Sequence, residues 1–432
     1  MRQAARIQSG IELLDWMQKA PIPMDNVIRD FMAKRRYIGS KDRTDIVERL
    51  YAMVRHHARL GWHIDQAGAP DTPRTRTLAF LMLHDGLSAA QTAQFFDGGK
   101  HHAEGLGPDE EQLLSALTGK VMDDPAMPVA IQVECPDWAA EKLHDVYGDQ
   151  FESELRAMMM PASLDLRVNT IKTTRDEVRA SLAGQGVETQ AGLYSPVALR
   201  APAKSFMGKT KAYEKGMVDI QDEGSQLIAL LTGAKPGMRV LDYCAGGGGK
   251  TLAIAAMMDN KGNIVAMDND TRRLDKGKPR YRKAGIHNVE LRSLAEEQHR
   301  KWLRRQKETM DIVLVDAPCS SSGTWRRNPD LRWRQYGPSL DQIVALQAEI
   351  LDKVADKVKP GGRLVYATCS LFPEENEQQV EKFLKNHPDY AVMPLEQVWD
   401  FGGKPPCAGP YLRLSPAAHG TDGFFAAVLV KK

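Results

Sequence analysis

Cysteine is scarce in this chain, with five residues in 432, at positions 135, 244, 319, 369 and 407. Their number is odd and their spacings wide. No CxxC pair or Cys/His cluster of zinc spacing occurs, which argues against a disulfide framework and against a metal site. Long apolar runs are also missing. None approaches the roughly 18 residues of a membrane span, and the opening MRQAARIQSGIELLDWMQ has no signal-peptide core. A large net charge is absent too, 58 basic residues nearly balancing 56 acidic ones. Any attraction for a polyanion must therefore come from local patches. There are no internal repeats and no low-complexity tracts. These absences predict a cytoplasmic protein, monomeric, free of membrane and metal, whose few cysteines stay reduced.

What is present divides into segments, and the length suggests roughly three domains. Residues 1–125 read as all-helical. The run TDIVERLYAMVRHHARLGW places Ile46, Val47, Leu50, Tyr51 and Val54 on one helical face, with Ser40 as a plausible cap. Between Arg2 and Arg59, twelve Lys or Arg face seven Asp or Glu, enough for a basic face that could follow a phosphate backbone. A Pro- and Asp-rich connector and a helix occupy 126–160. A small mixed subdomain over 161–230 follows, with strands expected at LDLRVNT, VETQAG and VALRAP and a helix at TTRDEVRASLAGQG. From there to 432 strand and helix alternate: RVLDYC, NIVAMDND, DIVLVDAPC and RLVYATCS are strands, and FFAAVLVKK is a last one. That alternation predicts an α/β doubly wound sheet.

Two apolar runs in this last segment end in cysteine followed by serine, at Cys319 and Cys369. As neighbouring central strands they would bring both thiols to one cleft mouth, because ligands sit beyond the carboxyl ends of parallel strands. The loop Ala245–Lys250, AGGGGK, lies between a strand and a helix. Its glycines allow close backbone approach, and the helix start behind them offers free N–H groups. It is not a P-loop, since Cys244 stands where the first glycine would be. Asp268 ends the next strand, about twenty residues on, where an acid can hold ribose hydroxyls. Both a nicotinamide dinucleotide and S-adenosylmethionine use that arrangement.

The cysteines choose between them. C5 of a pyrimidine is a poor nucleophile until a thiolate adds to C6 and makes C5 enamine-like. Asp316, three residues before Cys319, can hydrogen-bond the amino edge of the base. A second thiol can assist release of the product. Taken singly, each thiol is more commonly a buried structural cysteine. As a pair at matching strand ends they point to pyrimidine methylation.

These residues carry a resemblance to the RNA cytosine-5 methyltransferases of the RsmB/NOP/Sun family, including the bacterial ribosomal RNA members. The matching stretches are LRVNT (166–170), VDIQDEGSQL (218–227), LDYCAGGGGKT (241–251), VDAPCSSSGTWRRNPD (315–330), YATCSLFPEEN (366–376) and HGTDGFF (419–425). The helical N-terminus resembles the antitermination-factor-like RNA-binding domain of some bacterial members, chiefly through KRRYIGSKDR. The resemblance implies a Rossmann-like class I methyltransferase domain at 231–432 with a final antiparallel strand. It implies Cys369 as nucleophile and Cys319 as the thiol that assists release. S-adenosylmethionine would be held by Cys244, Ala245, Gly246, Gly247, Gly248, Gly249, Lys250, Asp268 and Asp316, with Lys250 and Asp316 also near the reacting base.

Two departures stand out. The family's loop reads Cys-Ala-Ala-Pro-Gly-Gly-Lys, but Gly246 and Gly247 replace its second Ala and its Pro here. The family's acid after the third strand has no clear counterpart in VELRSLAEEQ, where Glu296 and Glu297 are the candidates. For RNA, twelve basic residues against four acidic ones lie between Thr271 and Arg305, and Arg326, Arg327, Arg332 and Arg334 follow the first cysteine motif. Trp325 and Trp333 are either stacking surfaces for bases or core. The expected partner is RNA, ribosomal in kind. Two other classes remain: a catalytically silent RNA-binding or ribosome-assembly protein, and a nicotinamide-dependent oxidoreductase, which has no need of the thiol pair.

Overall fold

The computed structural model describes residues 1–432, which divide into two compact units, 1–160 with 325–337, and 161–324 with 338–432. No helix is long and apolar enough to cross a membrane.

The first unit is helical. Its main helices are Gln3–Lys19, Met24–Lys34, Ser40–Arg55, His57–Gln66, Pro73–Leu83, Pro108–Leu117, Asp137–Tyr147 and Phe151–Met159. Ile46, Leu50 and Val54 are buried on one face of the third, as their spacing requires, in a core with Leu13, Phe31, Leu60 and Leu78. The expected single helix over 44–62 is interrupted at His56. Ser40 is not a cap but the first helical residue, and Gly39 takes the cap position without a side-chain bond. Thr72 does form a capping box with Thr75 at the start of Pro73–Leu83. Gly148, at φ +50°, divides the expected helix at 138–160 into two.

One segment belongs elsewhere than its position in the chain suggests. Trp325–Gly337, within the range assigned above to the methyltransferase domain, packs as part of the helical unit. Arg332 is buried and donates to the Glu134 carbonyl at 3.0 Å. Arg334 donates to the Ala20 carbonyl at 2.7 Å, and Asp330 accepts the Met24 N–H at 2.9 Å. Arg55 donates to the Arg326 carbonyl at 2.8 Å. Trp325 is 1% exposed, edge-on to Trp138, and Trp333 lies 4.6 Å from the His57 ring. Trp325 is therefore core rather than a stacking platform, and Trp333 is half-buried against the core of the helical unit. Arg326 and Arg332 are buried, Arg327 and Arg334 half-buried. The sequence expectation that these four form an RNA-facing set is corrected for Arg332 and Arg334, whose guanidinium groups are engaged with backbone carbonyls inside this unit.

The second unit holds two sheets. Strands β1 (Leu164–Val168), β2 (Gln190–Ala191), β3 (Ala198–Ala201) and β4 (Val218–Ile220) form a four-stranded antiparallel sheet in the order β2-β3-β1-β4. Helix Arg175–Ala183, with a Thr174/Glu177 capping box, covers it through Val178 and Leu182. β4 was not expected: three residues, with an aspartate in the middle, carry too little pattern, and pairing to β1 is what makes them a strand.

The larger sheet contains β5 (Arg239–Asp242), β6 (Asn263–Asp268), β7 (Val289–Ser293), β8 (Met310–Asp316), β9 (Val358–Thr368), β10 (Tyr390–Met393), β11 (Leu412–Leu414) and β12 (Phe424–Lys431). Its order is β10-β12-β9-β8-β5-β6-β7, with β11 beside β12. β5 to β9 run parallel and β12 is antiparallel to β9. The central parallel strands β6 and β8 are buried on both faces, so their middles are continuous apolar runs rather than alternating ones, whereas the edge strand β7 is largely polar and only partly buried. Val240, Ile264, Ile312 and Val365 feed one core, and Leu241, Val265, Val313 and Leu364 the other. At the carboxyl ends Asp242, Asp268, Asp316 and Thr368 come into line, where a doubly wound sheet places its ligands.

Candidate active site

The parallel register pairs Asp316 on β8 with Ala367 on β9. Cys319 follows the first by three residues and Cys369 the second by two, so neighbouring strands deliver both thiols to one place. Their sulfurs are 3.3 Å apart. The pair is unequal. Cys369 is pulled below an ordinary thiol by the hydrogen bond from Cys319; burial and Asp316 oppose this, and Ser321 and Lys250 reinforce it. Cys319 is pushed well above, first by that same bond, then by burial and by the charges of Cys369 and Glu375. Cys369 is thus the more easily ionised thiol of the two and Cys319 the one that holds its proton longer. The Ser321 hydroxyl lies 3.6 Å from Cys369 Sγ, on a backbone held at φ +58°. A serine in that left-handed conformation stores strain, as residues at working sites often do.

Lys250, 9% exposed, donates to Asp316 Oδ2 at 2.6 Å. Burial alone would lower its pKa, but Asp316 outweighs burial and the net shift is upward, so the lysine stays charged. The helix Gly249–Met257 carries it inward from the glycine loop.

The loop is held by its backbone. Ala245 N–H donates to the Met267 carbonyl at 2.8 Å, and Gly246 N–H to Asp268 Oδ2 at 2.9 Å. The carbonyls of Gly247 and Gly249 accept from Arg280 and Arg167 respectively. Asp219 on β4 pairs with both arginines, so the small sheet braces the loop. Gly248 sits at φ +79°, and a Cβ there would be 2.0 Å from Tyr281 Oη. The thiol of Cys244 is pushed well above its ordinary value, chiefly by burial. Sequence reasoning missed Arg167, Asp219 and Arg280; only the approach of the two sheets gives these ordinary surface residue types a shared target.

Cys244, Asp268, Arg273, Asp316, Cys319 and Cys369 line one cavity of about 990 Å3, at the upper end of the roughly 300–1,000 Å3 of ligand sites. Leu294 and Ile350 add apolar wall, beside the charged Arg300, Arg304, Asp352 and Lys353. Neither candidate acid after β7 lines it. Glu296 faces His299, and Glu297 pairs with Arg300 and Arg304. The family's acid therefore has no replacement here, and Leu294 stands in the cavity wall instead. Asp268, buried at the end of its strand, and the close-approach loop fit the ribose and methionine ends of S-adenosylmethionine.

A four-stranded antiparallel subdomain, a class I sheet with an antiparallel final strand and this cleft define an S-adenosylmethionine-dependent methyltransferase. Comparisons with known proteins agree. The family described as 16S rRNA methyltransferase RsmB/F matches residues 229–430, and its ferredoxin-like domain matches 135–203. A probable ribosomal RNA small subunit methyltransferase B of Synechocystis is 32% identical, covering 94% of this chain and 95% of that protein. The crystal structure of PH0851 superposes with a TM-score of 0.78 at 28% identity, covering 100% of this chain and 99% of that one. A methyltransferase homolog protein from Pyrococcus horikoshii gives 0.60 at 29% identity, covering 72% of this chain and all of that one. The chain belongs to the RsmB/F methyltransferase family.

Proposed function

We propose that this protein methylates C5 of a cytosine in ribosomal RNA, in the cytoplasm, through a covalent bond between Cys369 and C6 of the base. The observation that carries the reading is the unequal thiol pair 3.3 Å apart in the cofactor cavity. Bound S-adenosylmethionine supplies an electrophilic methyl group. Cys369, the more easily ionised thiol, gives its electron pair to C6 as thiolate, and the C5–C6 π pair becomes the nucleophile at C5. Lys250 and Asp316 stand beside the sulfur as a charged pair able to bind the ring's polar edge. Cys319, once ionised, takes the C5 proton; the C–H electron pair restores the C5–C6 double bond and expels Cys369 as thiolate. Adduct formation removes the thiolate that keeps Cys319 protonated, so the second thiol becomes easier to ionise when product release requires it.

The relatives' names support ribosomal RNA as the substrate. Family membership disfavours the oxidoreductase reading, and the charged Lys250–Asp316 pair favours an active enzyme over a silent one. Labelled S-adenosylmethionine and ribosomal RNA, incubated with wild type, Cys369→Ala and Cys319→Ala, test the mechanism. We expect no transfer by Cys369→Ala and an accumulated protein–RNA adduct with Cys319→Ala. Normal transfer by Cys369→Ala would end the proposal.

A further inference from the structure

Each catalytic cysteine is followed by a serine, Ser320 and Ser370, and both serines meet one side chain. Glu375, fully buried, comes from the short turn Pro373–Glu375 that follows the second cysteine loop. Its Oε1 accepts the Ser320 N–H at 2.8 Å and the Gln347 amide at 3.0 Å. Its Oε2 accepts the Ser320 hydroxyl at 2.5 Å and the Ser370 hydroxyl. Four donors thus satisfy a carboxylate that burial alone would make costly. Gln347 adds a bond to the Pro318 carbonyl at 3.0 Å, directly before Cys319. Ser322 Oγ accepts Leu371 N–H at 2.8 Å, and Gly323 N–H donates to the Cys369 carbonyl at 2.9 Å.

The two cysteine loops are therefore joined to each other, and the carboxylate lies on the Cys319 side of the joint. Two of its four donors belong to the residue after Cys319, whereas the Cys369 loop supplies one hydroxyl. The charged and titratable groups facing the sulfurs are Lys250 and Asp316 near Cys369, and Glu375 and the Tyr366 hydroxyl, itself bonded to the Glu375 carbonyl at 2.6 Å, near Cys319. An anion placed on one side of a pair that shares one proton holds the proton on that side.

We propose that Glu375 is the positioning residue of the thiol pair: its carboxylate locks the two cysteine loops together and keeps the shared proton on Cys319, leaving Cys369 as the nucleophile. This rests on the reading of the two thiols as the catalytic pair. Its test uses neither RNA nor cofactor, so the two can fail separately.

The test is iodoacetamide alkylation of the full-length protein from about pH 5.5 to 10, with Cys319 and Cys369 followed separately by peptide mass spectrometry. In wild type Cys369 reacts first. Glu375→Gln keeps an acceptor oxygen but removes the charge, and should shrink the Cys369-to-Cys319 rate ratio near neutral pH by about tenfold, the equivalent of one pKa unit. Ser320→Ala and Ser370→Ala should each shrink it by less. Val380→Ala, in the buried face of the next helix, controls for lost stability and should leave the ratio unchanged. An unchanged ratio in Glu375→Gln, or an equal collapse in Val380→Ala, overturns the proposal. If Glu375→Gln does not fold, an unchanged ratio in both serine variants overturns it and a smaller ratio in either supports it.

Discussion

Lys250 Nζ lies 2.6 Å from Asp316 Oδ2, an ion pair between the first turn after the glycine loop and the strand end that leads to Cys319. The lysine is almost fully buried while the aspartate side chain keeps 32% exposure, so Asp316 can turn toward a bound base and Lys250 cannot leave. Removing one member of such a pair strands the other's charge. Lys250→Met should destabilise the protein by about 2–3 kcal/mol and abolish methylation. The double variant Lys250→Met/Asp316→Asn should regain most of the stability and none of the activity. Denaturant melts beside single-turnover assays separate the two effects; recovery of activity in the double variant would contradict a chemical role for the pair.

Gly248 and Gly247 are neighbours with opposite expectations. At Gly248 the φ of +79° and the Tyr281 hydroxyl 2.0 Å from a new Cβ both oppose alanine. At Gly247 a Cβ would meet only an arginine tip at 3.3 Å. Gly248→Ala should cost about 1–3 kcal/mol in stability and weaken S-adenosylmethionine binding at least tenfold. Gly247→Ala should bind within about threefold of wild type, since its φ is not left-handed and a shift of a few tenths of an ångström in Arg280, which its bonds to the Gly247 carbonyl and Asp219 can follow, relieves the contact. Calorimetric titration with the cofactor checks both.

Asp242, buried at the end of β5, accepts Thr251 Oγ1 at 2.6 Å, while its other oxygen has no partner. Burial, above all, pushes its pKa up to about 7. A carboxyl whose folded value is raised holds its proton in the folded state where the unfolded chain has lost it. Its contribution to stability is thus greatest below about pH 4, declines as pH rises to about 7, and is flat above. Asp242→Asn should therefore gain on wild type by on the order of 1–3 kcal/mol between pH 5 and pH 8. Urea melts at those two values decide; a difference independent of pH would show that Asp242 does not titrate there.

Arginines that look alike in sequence should behave differently toward RNA. Arg332→Ala removes a buried donor from the Glu134 carbonyl and should lower the melting temperature by several degrees. It should not alter the slope of log binding constant against log salt. Lys276 and Arg282, exposed on helix Thr271–Ala284, are the contrasting pair. Their double alanine variant should keep its melting temperature and lose about one to two units of slope. The reverse pattern would place the RNA contact on the segment after Cys319 instead.

Much of the architecture was legible because it rests on local pattern. Parallel strands buried on both faces read as unbroken apolar runs, and Ile46, Leu50 and Val54 recur at helical spacing whether or not their partners are known. Glycines between β5 and its helix, an acid at the end of β6, and two cysteine motifs are contiguous signals tied to one chemistry. β4, β10 and β11 were not legible, since these strands of three or four residues carry no distinctive run of their own and are made strands by pairing to β1 and β12.

At the site, the sequence by itself determined which groups are present: two thiols, a lysine, two aspartates and a glycine loop. Only the tertiary structure decided how they divide the work. The register of β8 on β9 sets the sulfur separation, and the bond between the sulfurs, with the groups around them, makes Cys369 easier and Cys319 harder to ionise. Arg167, Arg280 and Glu375 become part of the site through contacts between segments far apart in the chain. For the same reason Arg332 and Arg334, which read as a surface patch, turn out to be bound inside the helical unit: charge can be counted along a chain, but burial depends on what folds over it.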